Sequence, residues 1–287
     1  MSRIRTDPTG RTVLVTGAAS GIGLALARSL AAEGSRLVLT DVAAEGLDRA
    51  VAELRDAGGD VAHHAALDVA DRAAVDAFAA AVHERVGPVG VVANVAGIST
   101  WGRLEDLSPE HWQRTVDVDL MGPIHVLSAF VPSMIEAGDG GHVVNVSSAA
   151  GLLGLPLHAP YSAAKFGLRG VSEVLRFDLE QHRIGVTLVC PGAVRTPLVG
   201  TVDIVGVDRD RPDVASLVER FERHAVSPEH VAACIVRGMR RGRYLVLTSR
   251  DIAAGHLAQR YAPPLYDAAM RLLNRRVQKV LRPPAAR

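Results

Sequence analysis

Short apolar, β-branched runs alternate with alanine-rich stretches of helical length from the start of the chain. Thr12–Thr16 precedes Ile22–Glu33, Arg36–Thr40 precedes Ala44–Ala57, and Val61–Ala66 precedes Ala70–Val86. Each pair reads as a strand followed by a helix, which makes a βαβ series. The alternation continues with Val89–Ala93 before a helical stretch from Ser108 to Ala137, His142–Val146 before a helix starting near Pro160, then Gly185–Val189 and a last strand at Tyr244–Leu247. The strand runs are continuously apolar instead of alternating, as burial on both faces of a parallel sheet requires. The pattern predicts an α/β fold with a Rossmann-type, doubly wound parallel sheet of about seven strands flanked by helices.

Helix punctuation supports these boundaries. Ser108-Pro109-Glu110 places a capping serine before a first-turn proline, and Ser227-Pro228-Glu229 repeats the arrangement. Between Leu198 and Ala225 the pattern weakens into polar and charged residues around one short helical candidate, Asp213–His224. That segment reads as a mobile excursion over a cleft. Residues 1–249 are expected to form a cofactor-binding catalytic domain, and residues 250–287 a helical extension. Within the extension Tyr266, Ala269, Met270, Leu273, Val277, Val280 and Leu281 share one helical face, with Arg271, Arg275, Gln278 and Arg282 opposite.

Composition adds limits. With 287 residues, nearly half of them apolar, the chain can bury a sizeable core. The net charge of +1 gives no global pull toward nucleic acid or membrane. It is unevenly placed: from Arg250 onward eight basic residues face two acidic ones, leaving 24 basic and 29 acidic residues before them. Three partners for the basic helix compete: the domain itself or a neighbouring subunit, an anionic lipid surface, and nucleic acid, which the missing aromatic platform disfavours. Cys190 and Cys234 lie alone in apolar segments, as expected of buried thiols in a reducing, cytoplasmic setting. No signal-peptide pattern opens the chain.

The candidate chemistry begins with Tyr161 and Lys165, four residues apart and thirteen beyond Ser148. On a helix they share a face, so an ammonium lies beside a phenol. A tyrosine ordinarily titrates near pH ~10, and a fixed cation favours the phenolate. The expectation is a tyrosine whose pKa is lowered enough to serve as a base. A second cluster follows the first strand: Thr16-Gly17-Ala18-Ala19-Ser20-Gly21-Ile22-Gly23, with glycines spaced G-x-x-x-G-x-G before a helix. Such a turn lets the backbone approach a pyrophosphate at a helix N-terminus. Asp41, 18 residues beyond Gly23, stands where a carboxylate accepts from ribose hydroxyls and repels a 2′-phosphate, which favours NAD over NADP; otherwise it is a strand-end turn former. Asp68 could cap the next helix or reach the adenine.

With these motifs in order, the chain resembles the classical short-chain dehydrogenase/reductase family from about Gly10 to Leu247. The resemblance rests on Thr16–Gly23, on Asn94-Val95-Ala96-Gly97, on Ser148, on Tyr161-x-x-x-Lys165, and on Pro191-Gly192-Ala193-Val194-Arg195-Thr196. It implies reversible hydride transfer between NAD and an alcohol carbon, with Tyr161 moving the hydroxyl proton, Ser148 holding the same oxygen and Lys165 binding the nicotinamide ribose. Contacts to the cofactor are then expected from Gly17, Ser20, Gly21, Ile22, Gly23, Asp41, Asp68, Val69, Asn94, Ala96, Gly97, Tyr161, Lys165, Pro191, Gly192, Val194 and Thr196. No metal is implied. A homotetramer or dimer is expected from the resemblance alone.

Two departures stand out. Val95 replaces a usual asparagine, and Asp119 stands where the family's fourth catalytic residue is an asparagine. A carboxylate there would weaken the net field of Lys165 on Tyr161. It gives weight to a rival reading, a nucleotide-bound sensor with weak turnover. On the substrate side Trp101, Leu155 and His158 join Ser148 and Tyr161, with Leu152, Leu153 and Leu157 nearby. The scarcity of charge suggests a lipophilic alcohol or ketone of steroid, retinoid, terpenoid or other lipid type, although loop packing would use the same residues.

Overall fold

The computed structural model describes residues 4–197, 203–207, 211 and 225–281, with side chains through Lys279. Seven parallel strands form one sheet: β1 (Thr12–Thr16), β2 (Arg36–Asp41), β3 (Asp60–Ala66), β4 (Val91–Asn94), β6 (Gly141–Val146), β7 (Ile184–Cys190) and β9 (Leu245–Leu247). Their spatial order is β3-β2-β1-β4-β6-β7-β9. The chain winds outward from β1 to β3, then returns to β4 on the other side. The crevice for a ligand therefore opens between the ends of β1 and β4. Every residue of β4, β6 and β7 is buried, which explains their unbroken apolar runs.

Alternate residues of each strand feed opposite layers. Val13, Val15, Val91, Ala93, Val144 and Val189 pack with α1 (Gly21–Ala32), α2 (Ala44–Asp56) and α7 (Pro228–Arg241). Leu14, Val92, Val143 and Val186 pack with α3 (Arg72–Arg85) and α5 (Gly122–Ala137). Both proline-started helices begin as expected. Ser108 and His111 form a reciprocal capping box on α4 (Pro109–Val116), and Ser227 accepts from the His230 N–H at 3.2 Å on α7.

Several elements were not expected. The stretch from Pro109 to Ala137 is one continuous helix interrupted by a π turn at Asp117–Met121. The wider turn places Asp119 inward with no exposed surface. Thr100–Trp101 (β5) pairs in parallel with Asp203–Ile204 (β8) as a separate two-stranded ribbon. The strand near residue 91 begins two residues later than its apolar run. The helical candidate 213–224 lies outside the described residues, and so does most of the excursion around it.

The extension is two helices, α8 (Arg250–Tyr261) and α9 (Pro263–Leu281). Ile252 of α8 enters a third apolar cluster with Leu152, Leu153, Leu188 and Cys190. Tyr266 of α9 accepts a hydrogen bond from the Gly154 N–H at 3.1 Å. Of the shared face read from the sequence, Tyr266, Met270 and Val277 are half-buried, while Ala269 and Leu273 are exposed. The first turn of α9 docks on the domain, and Leu273 further along it is exposed.

Candidate active site

The cofactor half of the crevice is made by backbone. At Gly17, φ is +69° and an added Cβ would lie 2.9 Å from Ala96 Cα; at Gly23 it would lie 2.0 Å from the Gly17 carbonyl oxygen. No side chain fits at either place, so the β1–α1 turn remains an open cradle in front of the α1 N-terminus, with Ser20 as its extended N-cap residue. Thr16 Oγ1 accepts from the N–H groups of Val95 and Ala96, both at 3.0 Å, which ties the cradle to the end of β4. Asp41 stands at the end of β2. Its Oδ2 accepts from Ala19 N–H and its Oδ1 from Ala43 N–H, both at 2.9 Å. The carboxylate is thus fixed beside the cradle by the loop that would hold the phosphates.

Three expected cofactor residues are used differently by their side chains. Asp68 Oδ1 closes its own turn on Ala70 N–H at 2.9 Å, while the cap of α3 is Asp71, which accepts from Ala74 N–H at 3.1 Å. Val69 is buried against Gly122, where an added Cβ would come within 2.7 Å of its Cγ2. Asn94 donates to Asn145 Oδ1 at 2.9 Å, and Asn145 donates to Ser172 Oγ at 2.9 Å, so this asparagine pair joins two strands to α6 (Ala159–Asp178).

The other half is a cavity of about 370 Å³. Ile22, Gly97, Trp101, Ser148, Leu155, His158, Tyr161, Lys165, Pro191, Gly192, Val194 and Thr196 all line it. Tyr161 and Lys165 project from the first two turns of α6, with Lys165 Nζ 5.6 Å from the Tyr161 ring centre. Ser148 lies two residues beyond β6, and its Oγ accepts from Ala150 N–H at 3.1 Å. Lys165 is buried, donates to the Val146 carbonyl at 3.3 Å and pairs with Asp119 Oδ1 at 3.7 Å. Asp119 Oδ1 also accepts from Ile98 N–H at 2.9 Å, whereas Oδ2 is buried with no hydrogen-bond partner. Gly97 makes this packing possible, because a Cβ there would lie 2.8 Å from Asp119 Oδ1.

The electrostatics correct the expectation for Tyr161. Its pKa is raised above the ordinary tyrosine value, because burial outweighs the lowering by Lys165, and Asp119 adds to the rise; a hydrogen bond with Ser148 opposes it. Burial likewise pushes the Asp119 carboxyl up to about 6, with Lys165 opposing. The cation beside the phenol is real, but a buried carboxylate shares it. Both cysteines are free, Cys190 being buried with its thiol pushed up to about 12 by burial and Cys234 half-buried.

Sequence reading missed Ser249, Asp251 and Ile252, which extend the cavity wall from the start of α8. No motif marked them, because their place is set by α8 folding back beneath Gly192: a Cβ at Gly192 would meet Ile252 Cγ1 at 3.1 Å and Ser249 Oγ at 3.2 Å. It also missed the Ser147 hydroxyl, which donates to the Lys165 carbonyl at 3.0 Å and fixes α6 against β6.

Comparison with known proteins agrees with this geometry. Residues 11–204 match the family model described as short chain dehydrogenase. The chain is 40% identical over 204 residues to trans-4-hydroxycyclohexanecarboxylate dehydrogenase of Sinomonas cyclohexanicum, covering 69% of this chain and 78% of that protein. It is 40% identical over 191 residues to D-threitol dehydrogenase of Mycolicibacterium smegmatis, covering 66% and 72%. A short-chain dehydrogenase/reductase from Burkholderia phymatum, solved in complex with NAD, superposes with a TM-score of 0.82 at 30% identity, covering 91% of this chain and 96% of that one. Matched in family model, relatives and fold, this chain belongs to the short-chain dehydrogenase/reductase family and is an oxidoreductase acting on hydroxyl groups.

Proposed function

We propose that the chain interconverts a secondary alcohol and a ketone with NAD(H), on a lipophilic substrate. The observation that carries this reading is Ser148, Tyr161 and Lys165 converging on a cavity walled mainly by Ile22, Val95, Ile98, Trp101, Leu155 and Ile252. The cradle at Gly17 and Gly23 and the fixed carboxylate of Asp41 fit a dinucleotide whose ribose lacks a 2′-phosphate. When bound, the cofactor supplies the hydride chemistry. The chain supplies position and proton transfer. Ser148 hydrogen-bonds the substrate oxygen, Tyr161 takes the hydroxyl proton or returns it to the carbonyl, and the Lys165 cation favours the phenolate. The apolar wall excludes water around the reacting carbon.

A panel of secondary alcohols, followed by NADH absorbance, tests the reading. Turnover with NAD, and turnover with NADP at least about tenfold weaker, is expected from the charge of Asp41. Preference for NADP would overturn the cofactor assignment. One observation favours the sensor instead: the Asp119 carboxylate offsets Lys165 and raises Tyr161. Tight NAD binding with no turnover on any alcohol or ketone would select it. A homo-oligomer is also part of the proposal, supported by Phe166, Val174 and Phe177 exposed along α6. Light scattering of the purified protein tests that part.

A further inference from the structure

We propose that His158 is a specificity-determining residue whose Nε2 accepts a hydrogen bond from a second hydroxyl group of the substrate, so that diols are preferred to matched mono-alcohols. The inference rests on the alcohol-oxidoreductase reading above and narrows its substrate class. His158 Nδ1 lies 2.6 Å from the Pro156 carbonyl oxygen. A carbonyl oxygen only accepts, so Nδ1 carries the hydrogen. Burial pushes the ring below the usual histidine range, which keeps a single proton on it. Nε2 is therefore a bare acceptor, and no donor of the described residues reaches it.

The ring is held in place for this task. It packs against Trp101 with ring centres 4.2 Å apart and planes inclined by 36°, and the Tyr161 ring centre lies 6.3 Å away. Leu157, immediately before it, adopts φ +67°, a conformation that costs a non-glycine residue about 1 kcal/mol. That strained residue accepts from Gly102 N–H at 2.9 Å, which joins the histidine loop to the Trp101 ribbon. Although His158 occupies the N-cap position of α6, its side chain caps nothing. Capping therefore does not account for the ring's orientation.

Two polar groups beside it are already engaged. Trp101 Nε1 is given to Ser99 Oγ at 2.7 Å, and Ser147 is given to the Lys165 carbonyl. Lys165 and Asp251 are the charged side chains lining the cavity among the described residues. With Lys165 engaged at Tyr161, the wall favours a neutral, hydroxyl-bearing substrate over an anion. A second hydroxyl on one of the next two carbons would lie between Tyr161 and His158, whose ring centres are 6.3 Å apart.

The test uses pairs of probes, each a secondary alcohol and its vicinal diol, beginning with cyclohexanol and trans-cyclohexanediol, with NAD and the full chain. Wild type is expected to favour the diol by about tenfold in kcat/KM, the worth of one neutral hydrogen bond. His158→Phe keeps an aromatic ring against Trp101 and removes the acceptor, so the ratio should fall to within about threefold; His158→Gln, which restores an acceptor, should recover part of it. Mono-alcohol turnover without a diol preference in wild type overturns the inference alone, as does a ratio unchanged by His158→Phe in a protein that melts normally. Absence of NADH from every pair overturns both this inference and the function on which it rests.

Discussion

The two ends of the crevice solve their tasks with different materials. At the β1–α1 end, Gly17 and Gly23 hold space open with backbone alone, and Asp41 is gripped by two amide N–H groups. At the α6 end, buried side-chain charges oppose one another: Lys165 lowers Tyr161 while Asp119 and desolvation raise it. The contrast teaches that a backbone site is decided by sterics and responds as all or nothing, whereas a charge site is a graded balance that pH and single substitutions can tune.

The sharpest way to probe the charge end is Tyr161→Phe. It removes the hydroxyl proposed to move the proton and should lower kcat by about 10³-fold with cofactor affinity little changed, read by steady-state kinetics and NADH fluorescence titration. Retained turnover would transfer the proton step elsewhere. Next comes the backbone end. In Gly23→Ala the new Cβ lies 2.0 Å from the Gly17 carbonyl oxygen, so the turn must move. NAD affinity should fall about a hundredfold or more, with lowered thermal stability. A variant that binds NAD normally would remove the claim that this end is steric.

Asp119→Asn sharpens the comparison from the charge side. With the carboxylate gone, chiefly burial opposes Lys165 at Tyr161, and the acid limb of alcohol oxidation should move down by about one pH unit. The same residue links stability to pH. Its folded-state pKa of about 6 exceeds the ordinary 3.8, so the native state binds more protons than the unfolded one within that window. Wild type should therefore lose about 2 kcal/mol relative to Asp119→Asn as pH rises from about 4 to 6. Buried His142, pushed down to about 3, acts oppositely in both proteins, losing stability as pH falls from about 6.5, so the difference between them isolates Asp119. A parallel pair of denaturation curves would refute the buried-charge account.

The smallest effect tests whether backbone strain also belongs to the charge end. Leu157→Gly relieves a φ of +67° but frees the unfolded chain, so stability should change by less than about 1 kcal/mol in urea melts. Looser anchoring of His158 should appear as a weakened choice between diol and mono-alcohol.

Much of the backbone end was legible beforehand because glycine spacing after a strand has few other uses, and Asp41 sits at a fixed distance along the same βαβ unit. The Tyr161–Lys165 pairing was legible because a helix brings residues four apart together. The structural uses of Asp68, Val69 and Asn94 were not. Their side chains turn to a local turn, to the core and to a neighbouring strand, choices made by partners such as Gly122 and Asn145 far away in the chain. Ser249 and Ile252 were hidden for the same reason, since α8 reaches the cavity only by packing on Leu153 and Gly192.

The sequence by itself determined the doubly wound sheet, the phosphate cradle and the Tyr161–Lys165 pairing, all of which follow from local periodicity and short spacing. Only the tertiary structure decided the direction of the Tyr161 shift, the burial of His158 against Trp101 and the wall supplied by α8. Those depend on desolvation and on contacts between residues distant in the chain, where burial outweighs the nearby cation.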